Sequence, residues 1–200
     1  LYPAFLRNES LMKSSWDVPK CSQKLHFELK EGMPKQTRVY PIKSEYKSSL
    51  FATMQFLTYF GIIERAPVHQ NFGSPLFAIP RKELPGGGSR PLRILIDMRI
   101  PNQFIVGSSS ASMESCWQIL REISGDVKYF SSLDLTNMFY SLEVSREVIE
   151  SGAQNFLSPW GAFRMLRVAS GLSLAPSFAS SLLLEKLYLD GENTWSYILF

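Results

Sequence analysis

Leu76-Phe77-Ala78-Ile79-Pro80 and Leu92-Arg93-Ile94-Leu95-Ile96-Asp97-Met98 stand either side of Pro85-Gly86-Gly87-Gly88-Ser89. Two short runs rich in Leu, Ile and Phe around a glycine-rich turn predict a β-hairpin. Its arms carry Arg81, Lys82, Arg90 and Arg93. Guanidinium and ammonium groups on such a ribbon can clamp a triphosphate, and arginine can do so through paired hydrogen bonds. A solvated hairpin tip flanked by basic residues has the same pattern. The glycine triplet is not a phosphate loop, because no Gly-Lys-Ser/Thr follows it and no helix opens after it.

On the N-terminal side, Leu50, Met54, Leu57 and Gly61 lie along one helical stripe with Phe51 beside it. The spacing predicts a helix over Ser44–Phe60, with Ser44 as N-cap, Glu45 in the first turn and Gly61 as the stop. Residues 1–40 are polar and weakly periodic, which predicts an extended arm with one short strand near Leu25–Leu29. On the C-terminal side, Met113–Ile123 reads as a helix with Cys116, Trp117 and Leu120 on its apolar face, Ser112 as cap and Gly125 as stop. Strands are expected at Tyr129–Leu135 and Tyr140–Val144, then a pair at Ala153–Leu157 and Ala162–Val168 turned by Ser158-Pro159-Trp160-Gly161. Ala175–Leu187 reads as a helix with Pro176 in its first turn, where a missing N–H costs little. A further strand is expected from Thr194 to Phe200. Helices interspersed with antiparallel strands predict an α+β fold.

Composition bounds what this chain can be. It has 200 residues, 45% of them apolar and 20% charged. That suffices for a real core and excludes a wholly disordered tail. No uncharged apolar run approaches the roughly 20 residues a bilayer span needs, and no N-terminal pattern reads as a signal peptide. An intracellular, reducing location is therefore expected, with no membrane partner. Cys21 and Cys116 are far apart and do not suggest a disulfide framework. His26 and His69 lack the partners a zinc site requires. Residues 1–100 hold 15 Lys and Arg against 8 Asp and Glu, a charge of +7, while residues 101–200 hold 6 against 10, a charge of −4. A basic half joined to an acidic half suits a polyanionic ligand handled beside a cation-binding acidic site. Uneven surface charge accounts for it equally well.

Asp134 is the most suggestive acid, placed near the end of the apolar run Phe130-Ser131-Ser132-Leu133-Asp134-Leu135. A carboxylate there is costly to bury unless it is paired or binds a cation. Magnesium suits it, since that ion takes one or two carboxylates and keeps waters and substrate phosphates. A local turn or an arginine partner would also explain it. Val168-Ala169-Ser170-Gly171-Leu172-Ser173-Leu174-Ala175-Pro176 is a small-residue turn entering a helix, and small residues permit close approach of a ligand or another backbone. Phe139, five residues beyond Asp134, by itself reads as core.

Taken together in their order, these segments resemble the fingers and first part of the palm of a reverse transcriptase, closest to the gypsy-like or related long-terminal-repeat retrotransposon type. The resemblance runs from about His26 to Phe200. Ser74-Pro75-Leu76-Phe77-Ala78-Ile79-Pro80-Arg81-Lys82 is similar to the family's Ser-Pro, apolar strand and basic pair. Arg93-Ile94-Leu95-Ile96-Asp97-Met98-Arg99-Ile100-Pro101-Asn102 resembles its Arg, apolar, Asp-aromatic-Arg-x-Leu-Asn element, with Met98 and Pro101 departing from the usual aromatic and Leu. Phe130 to Leu135 followed by Phe139 resembles its first catalytic motif. Gly161-Ala162-Phe163 through Gly171-Leu172 to Ala175-Pro176-Ser177-Phe178 keeps the family's spacing, but Ala169-Ser170-Gly171 replaces the usual Pro-Phe-Gly or Pro-Gln-Gly.

The resemblance implies the fingers and partial palm of a right-hand polymerase, an antiparallel sheet packed with helices. It divides the chain into an arm (1–40), a fingers-like region with a basic hairpin (41–125) and a partial palm (126–200). It implies RNA-directed DNA polymerase activity, with deoxynucleotides added to a primer 3′-hydroxyl. Asp134 and the carbonyl of Leu135 would hold Mg²⁺, two ions in a complete enzyme. Arg81 or Lys82, with Arg93, would grip the triphosphate. Phe139 would sit under the sugar and exclude a 2′-hydroxyl, and Ser170 and Gly171 would line the nascent base pair. The implied partners are an RNA or DNA template with primer, deoxynucleoside triphosphates and the remainder of a Pol-type polyprotein. The family's second acidic turn, aromatic-x-Asp-Asp, is expected just after Phe200. Tyr188-Leu189-Asp190-Gly191 lies too soon after Pro176 to serve, so the 200-residue chain alone is expected not to polymerise DNA. Two other readings are a non-enzymatic nucleic-acid-binding remnant of a retroelement and a relic without activity.

Overall fold

A computed structural model of the chain describes residues 23–80, 92–106, 117, 121, 125 and 137–188. In chain order the elements are β1 (Lys24–Leu25), β2 (Glu28–Leu29), α1 (Ser44–Tyr59), β3 (Ile63–Arg65), β4 (Ser74–Ile79), β5 (Arg93–Ile96), α2 (Arg99–Phe104), β6 (Ile105–Val106), α3 (Met138–Ser141), β7 (Glu143–Val144), α4 (Arg146–Ser151), β8 (Asn155–Ser158), β9 (Gly161–Met165) and α5 (Ala175–Tyr188). The α+β expectation holds.

Helix α1 buries Leu50, Met54 and Leu57, the stripe that the helical spacing marks out, together with Thr53 and Phe56. Phe51 lies off that face, exposed, with its ring 5.0 Å from that of Trp160. The helix ends as its glycine dictates. Gly61 takes a left-handed φ of 63°, its N–H donates to the Thr58 carbonyl, and the N–H of Ile62 reaches back to Leu57. Those two bonds make a Schellman cap and satisfy carbonyls that the last turn would otherwise leave unpaired. The other end corrects the expectation. Ser44 is the first helical residue, Lys43 occupies the cap position, and no side chain caps the helix. The carbonyl of Lys43 accepts directly from the N–H of Tyr46.

The hairpin arms pair as expected. β4 and β5 are antiparallel, with Phe77 opposite Leu95 and Ile79 opposite Arg93. A second hairpin joins β8 to β9, with Phe156 opposite Phe163. In its turn Ser158 Oγ accepts from the N–H of Trp160 and donates to the carbonyl of Gly161. Among the described residues the two hairpins share one five-stranded sheet in the order β3-β9-β8-β4-β5. The sheet is mixed rather than purely antiparallel, because the hairpins meet side by side through a parallel β4–β8 pairing. Gly73 makes that joint possible: a Cβ there would lie 2.5–2.6 Å from backbone atoms of Asn155 and Phe156.

The described part of the arm is tied down. β1 pairs in parallel with β7, and β2 pairs antiparallel with β6. Leu25 and Phe27 enter the core beneath the arm. Three short helices depart from the expected pattern. The chain from Tyr140 to Val144 is not a continuous strand. Asn137 adopts a left-handed φ of 55°, local bonds from Tyr140 to Asn137 and from Leu142 to Phe139 wind α3, and only Glu143–Val144 remains extended. α2 follows β5 at once, with Pro101 in its first turn where no N–H is needed. α4 begins on a serine cap, the Ser145 hydroxyl accepting from the N–H of Val148, and stops at left-handed Gly152. Trp117 is exposed rather than on a buried face. The expected elements at Met113–Ile123 (apart from Trp117 and Arg121), Tyr129–Leu135 and Thr194–Phe200, and the hairpin tip, lie outside the described residues. No helix among the described residues is long and apolar enough to cross a membrane.

Candidate nucleic-acid interface

The outward face of the β4–β5 hairpin carries the first cluster. Directly paired residues of antiparallel strands share a face, so Phe77 and Ile79 stand with Leu95 and Arg93. Leu76, Ile94 and Ile96 on the other face are buried. Phe77 and Ile79 are each more than 40% exposed. The Tyr40 ring lies 4.7 Å from that of Phe77, and the Arg38 guanidinium sits 5.6 Å above Tyr40. Cation, phenol and phenyl thus form a continuous tier on the surface.

That tier is anchored by Asp97 at the end of β5. Its N–H donates to the Pro75 carbonyl, which holds the residue across the hairpin. Its carboxylate accepts from the Tyr40 hydroxyl at 2.9 Å and from two nitrogens of Arg99 at 2.6 and 2.8 Å. The charge-assisted pair with Arg99, helped by Tyr40, holds the Asp97 carboxyl down at about 2, against a smaller upward push from burial. Its side chain is 10% exposed while that of Arg99 is 78% exposed. The acid is therefore consumed in fixing the arginine, and the guanidinium stays open to solvent.

Asn102 joins this region to the turn before α5. Its Nδ2 donates to the Gly171 carbonyl and its Oδ1 accepts from the N–H of Ser173, both at 3.0 Å. Gly171 has a left-handed φ of 97°, and a Cβ there would lie 3.6 Å from the carbonyl oxygen of Ile96. The second and fourth motifs of the sequence, some seventy residues apart, are thereby brought into contact.

The expected site residues divide. Arg93 is exposed on β5. Phe139 is partly buried on α3 and packs against the core. Ser170 and Gly171 form the turn that Asn102 holds. Asp134, Leu135, Arg81 and Lys82 lie outside the described residues. Among the described residues no three His, Cys, Asp or Glu side chains gather as a metal-binding group, and Asp97 is committed to Arg99 and Tyr40. Sequence reasoning quoted Phe77, Asp97 and Asn102 but gave them no role, and it missed Tyr40. A tyrosine on a polar arm carries no sign of the hairpin it packs against.

No family model matches the chain. It is similar to the retrovirus-related Pol polyprotein from transposon 412 of Drosophila melanogaster, 29% identical over 157 residues that cover 77% of this chain and 12% of that protein. It is also similar to the corresponding polyprotein from transposon opus, 26% identical over 72% of the chain and 14% of that protein. Among solved structures it superposes on the protease–reverse transcriptase of prototype foamy virus with a TM-score of 0.70 at 19% identity, covering 96% of this chain and 25% of that one. A foamy viral protease–reverse transcriptase in complex with double-stranded DNA aligns at a TM-score of 0.63 and 16% identity. The chain spans about an eighth of the length of its curated relatives. It is similar to a segment of the retrovirus-related Pol polyproteins, and its fold matches that of part of the foamy viral protease–reverse transcriptase.

Proposed function

We propose that this chain is the fingers and first palm part of an RNA-directed DNA polymerase, and that the outward β4–β5 face grips template. The observation that carries the reading is the tier Arg38–Tyr40–Phe77 beside exposed Arg99. Flat rings on which bases stack, interleaved with cations that meet phosphates, are the ordinary means of holding a single strand. The similarity to Pol polyproteins and the fold of the reverse transcriptases support the same assignment.

In this proposal residues 1–40 are the arm, 41–125 the fingers and 126–200 the partial palm. Arg93, with Arg81 or Lys82, binds the triphosphate of an incoming deoxynucleotide. Phe139 lies under its sugar, and Ser170 and Gly171 line the new base pair. Asp134 and the carbonyl of Leu135 are the residues assigned to Mg²⁺, whose chemistry when bound is charge neutralisation at phosphate oxygens. The partners are a primed RNA or DNA template, deoxynucleoside triphosphates and the remainder of a Pol-type polyprotein.

Fluorescence anisotropy of a labelled RNA–DNA primer–template with a single-stranded template overhang tests the interface. The chain should bind, and affinity should fall steeply as salt rises, because each phosphate contact releases a counterion. Phe77→Ala should weaken binding of the overhang-bearing duplex by about 1–3 kcal/mol, the worth of one stacked base, and should leave a blunt duplex unaffected. Equal loss on both duplexes would remove the hairpin face from the reading. Absence of binding at low salt would remove the reading itself.

A further inference from the structure

The turn between β9 and α5 is pinned by two carboxamides drawn from different parts of the chain. Gln154, just before β8, is 1% exposed, and its Oε1 accepts from the N–H of Ala169 at 2.7 Å. Ala169 is itself fully buried. A buried N–H with no acceptor is costly, so the glutamine oxygen decides whether the turn can lie where it does. The glutamine is held for this contact at a price of its own, since its Nε2 is buried with no hydrogen-bond partner among the described residues. Asn102 pins the other flank, pairing with the carbonyl of Gly171 and the N–H of Ser173. One side-chain amide here meets a backbone acceptor and donor two residues apart, as a neighbouring strand would. Ser170 lies between the two pins.

We propose that Gln154 and Asn102 are positioning residues that hold Ser170 and Gly171 in the conformation facing the nascent base pair. Gln154 does so by supplying the acceptor that the N–H of Ala169 requires. The proposal rests on the reading of this turn as nucleotide-lining. Proline at position 169 has no N–H to satisfy, so the glutamine is needed only because alanine stands there.

Amide hydrogen exchange of the isotope-labelled 200-residue chain tests the pins, with the Leu166 N–H, which donates to the Ile62 carbonyl, as reference. Gln154→Met, close in volume but without the acceptor, should accelerate exchange at Ala169 about tenfold or more relative to Leu166. Asn102→Leu should do the same at Ser173, whereas Asn102→Asp, which keeps the acceptor oxygen, should leave Ser173 protected. Equal acceleration of all three amides, or an unchanged Ala169, overturns the proposal. Rescue supplies a second reading. Ala169→Pro should lower the unfolding midpoint of the parent chain and lower it less in Gln154→Met; an equal penalty in both backgrounds overturns the acceptor role. Where the proline variants do not fold, exchange decides. Finally, a primer–template with its complementary deoxynucleoside triphosphate should shift the Ser170 and Gly171 amides of the parent chain, and at least twofold less in Gln154→Met at the same concentration. No shift in the parent chain overturns the nucleotide-lining reading and leaves the pinning standing.

Discussion

Asp97 shows how one carboxylate can organise a surface without itself meeting a ligand. It spends its acceptor capacity on Arg99 and Tyr40 and so fixes both the guanidinium and the ring on which Phe77 leans. Its carboxyl lies at about 2 in the folded chain, below the ordinary 3.8. A depressed acid adds stability above its unfolded value and loses it as pH falls through the folded one. The pair should therefore stabilise the fold fully above about pH 4, with that contribution disappearing between pH 4 and 2. Thermal unfolding of Asp97→Asn should show a lower midpoint than the parent chain at neutral pH. The two curves should converge as pH falls to 2, and parallel curves across that window would mean that the charge of Asp97 does not stabilise the fold. The acid was visible in the sequence as part of a quoted motif. Its partner Tyr40, 57 positions away, was not.

Among the elements, α1 was legible almost end to end because its information is local. The apolar spacing names the buried face, and Gly61 names the stop. A Cβ at Gly61 meets nothing within 4 Å, so Gly61→Ala is penalised by the left-handed φ alone. Chemical denaturation should find it destabilised by about 1–2 kcal/mol, with Gly61→Asn in between. The same logic explains a shortfall. α4 has a serine cap, an acid in its first turn and a terminal glycine, all readable signals, yet it is only six residues long and too short for periodicity to mark. α3 had no such signal: it is wound by a left-handed Asn137 inside a run whose composition suits a strand.

At the scale of the molecule, two hairpins and a strap from the arm make one core, and their meeting place is narrow. β4 and β8 touch backbone to backbone beside Gly73, which is also held by a bond from its N–H to the Gln36 carbonyl of the arm. Gly73→Ala drives a Cβ into rigid main chain rather than into a yielding side chain. It should cost more than Gly61→Ala, about 3 kcal/mol, with exchange protection lost first at Ser74 and Phe156. A cost below about 1 kcal/mol would mean that the hairpins can part without penalty.

Taken alone, the sequence determined the α+β class, the helix that starts at Ser44, the pairing of each hairpin and an order of motifs that resembles that of reverse transcriptases. Each of these follows from residues within a few positions of one another, where period, cap and turn chemistry act directly. Only the tertiary structure decided the parallel joint between the hairpins, the packing of Tyr40 on Phe77, and the reach of Asn102 and Gln154 into the 169–173 turn. Those contacts link positions up to about seventy or eighty residues apart. A side-chain amide or a phenol has many possible partners along a chain, and only burial in one fold selects which of them it must satisfy.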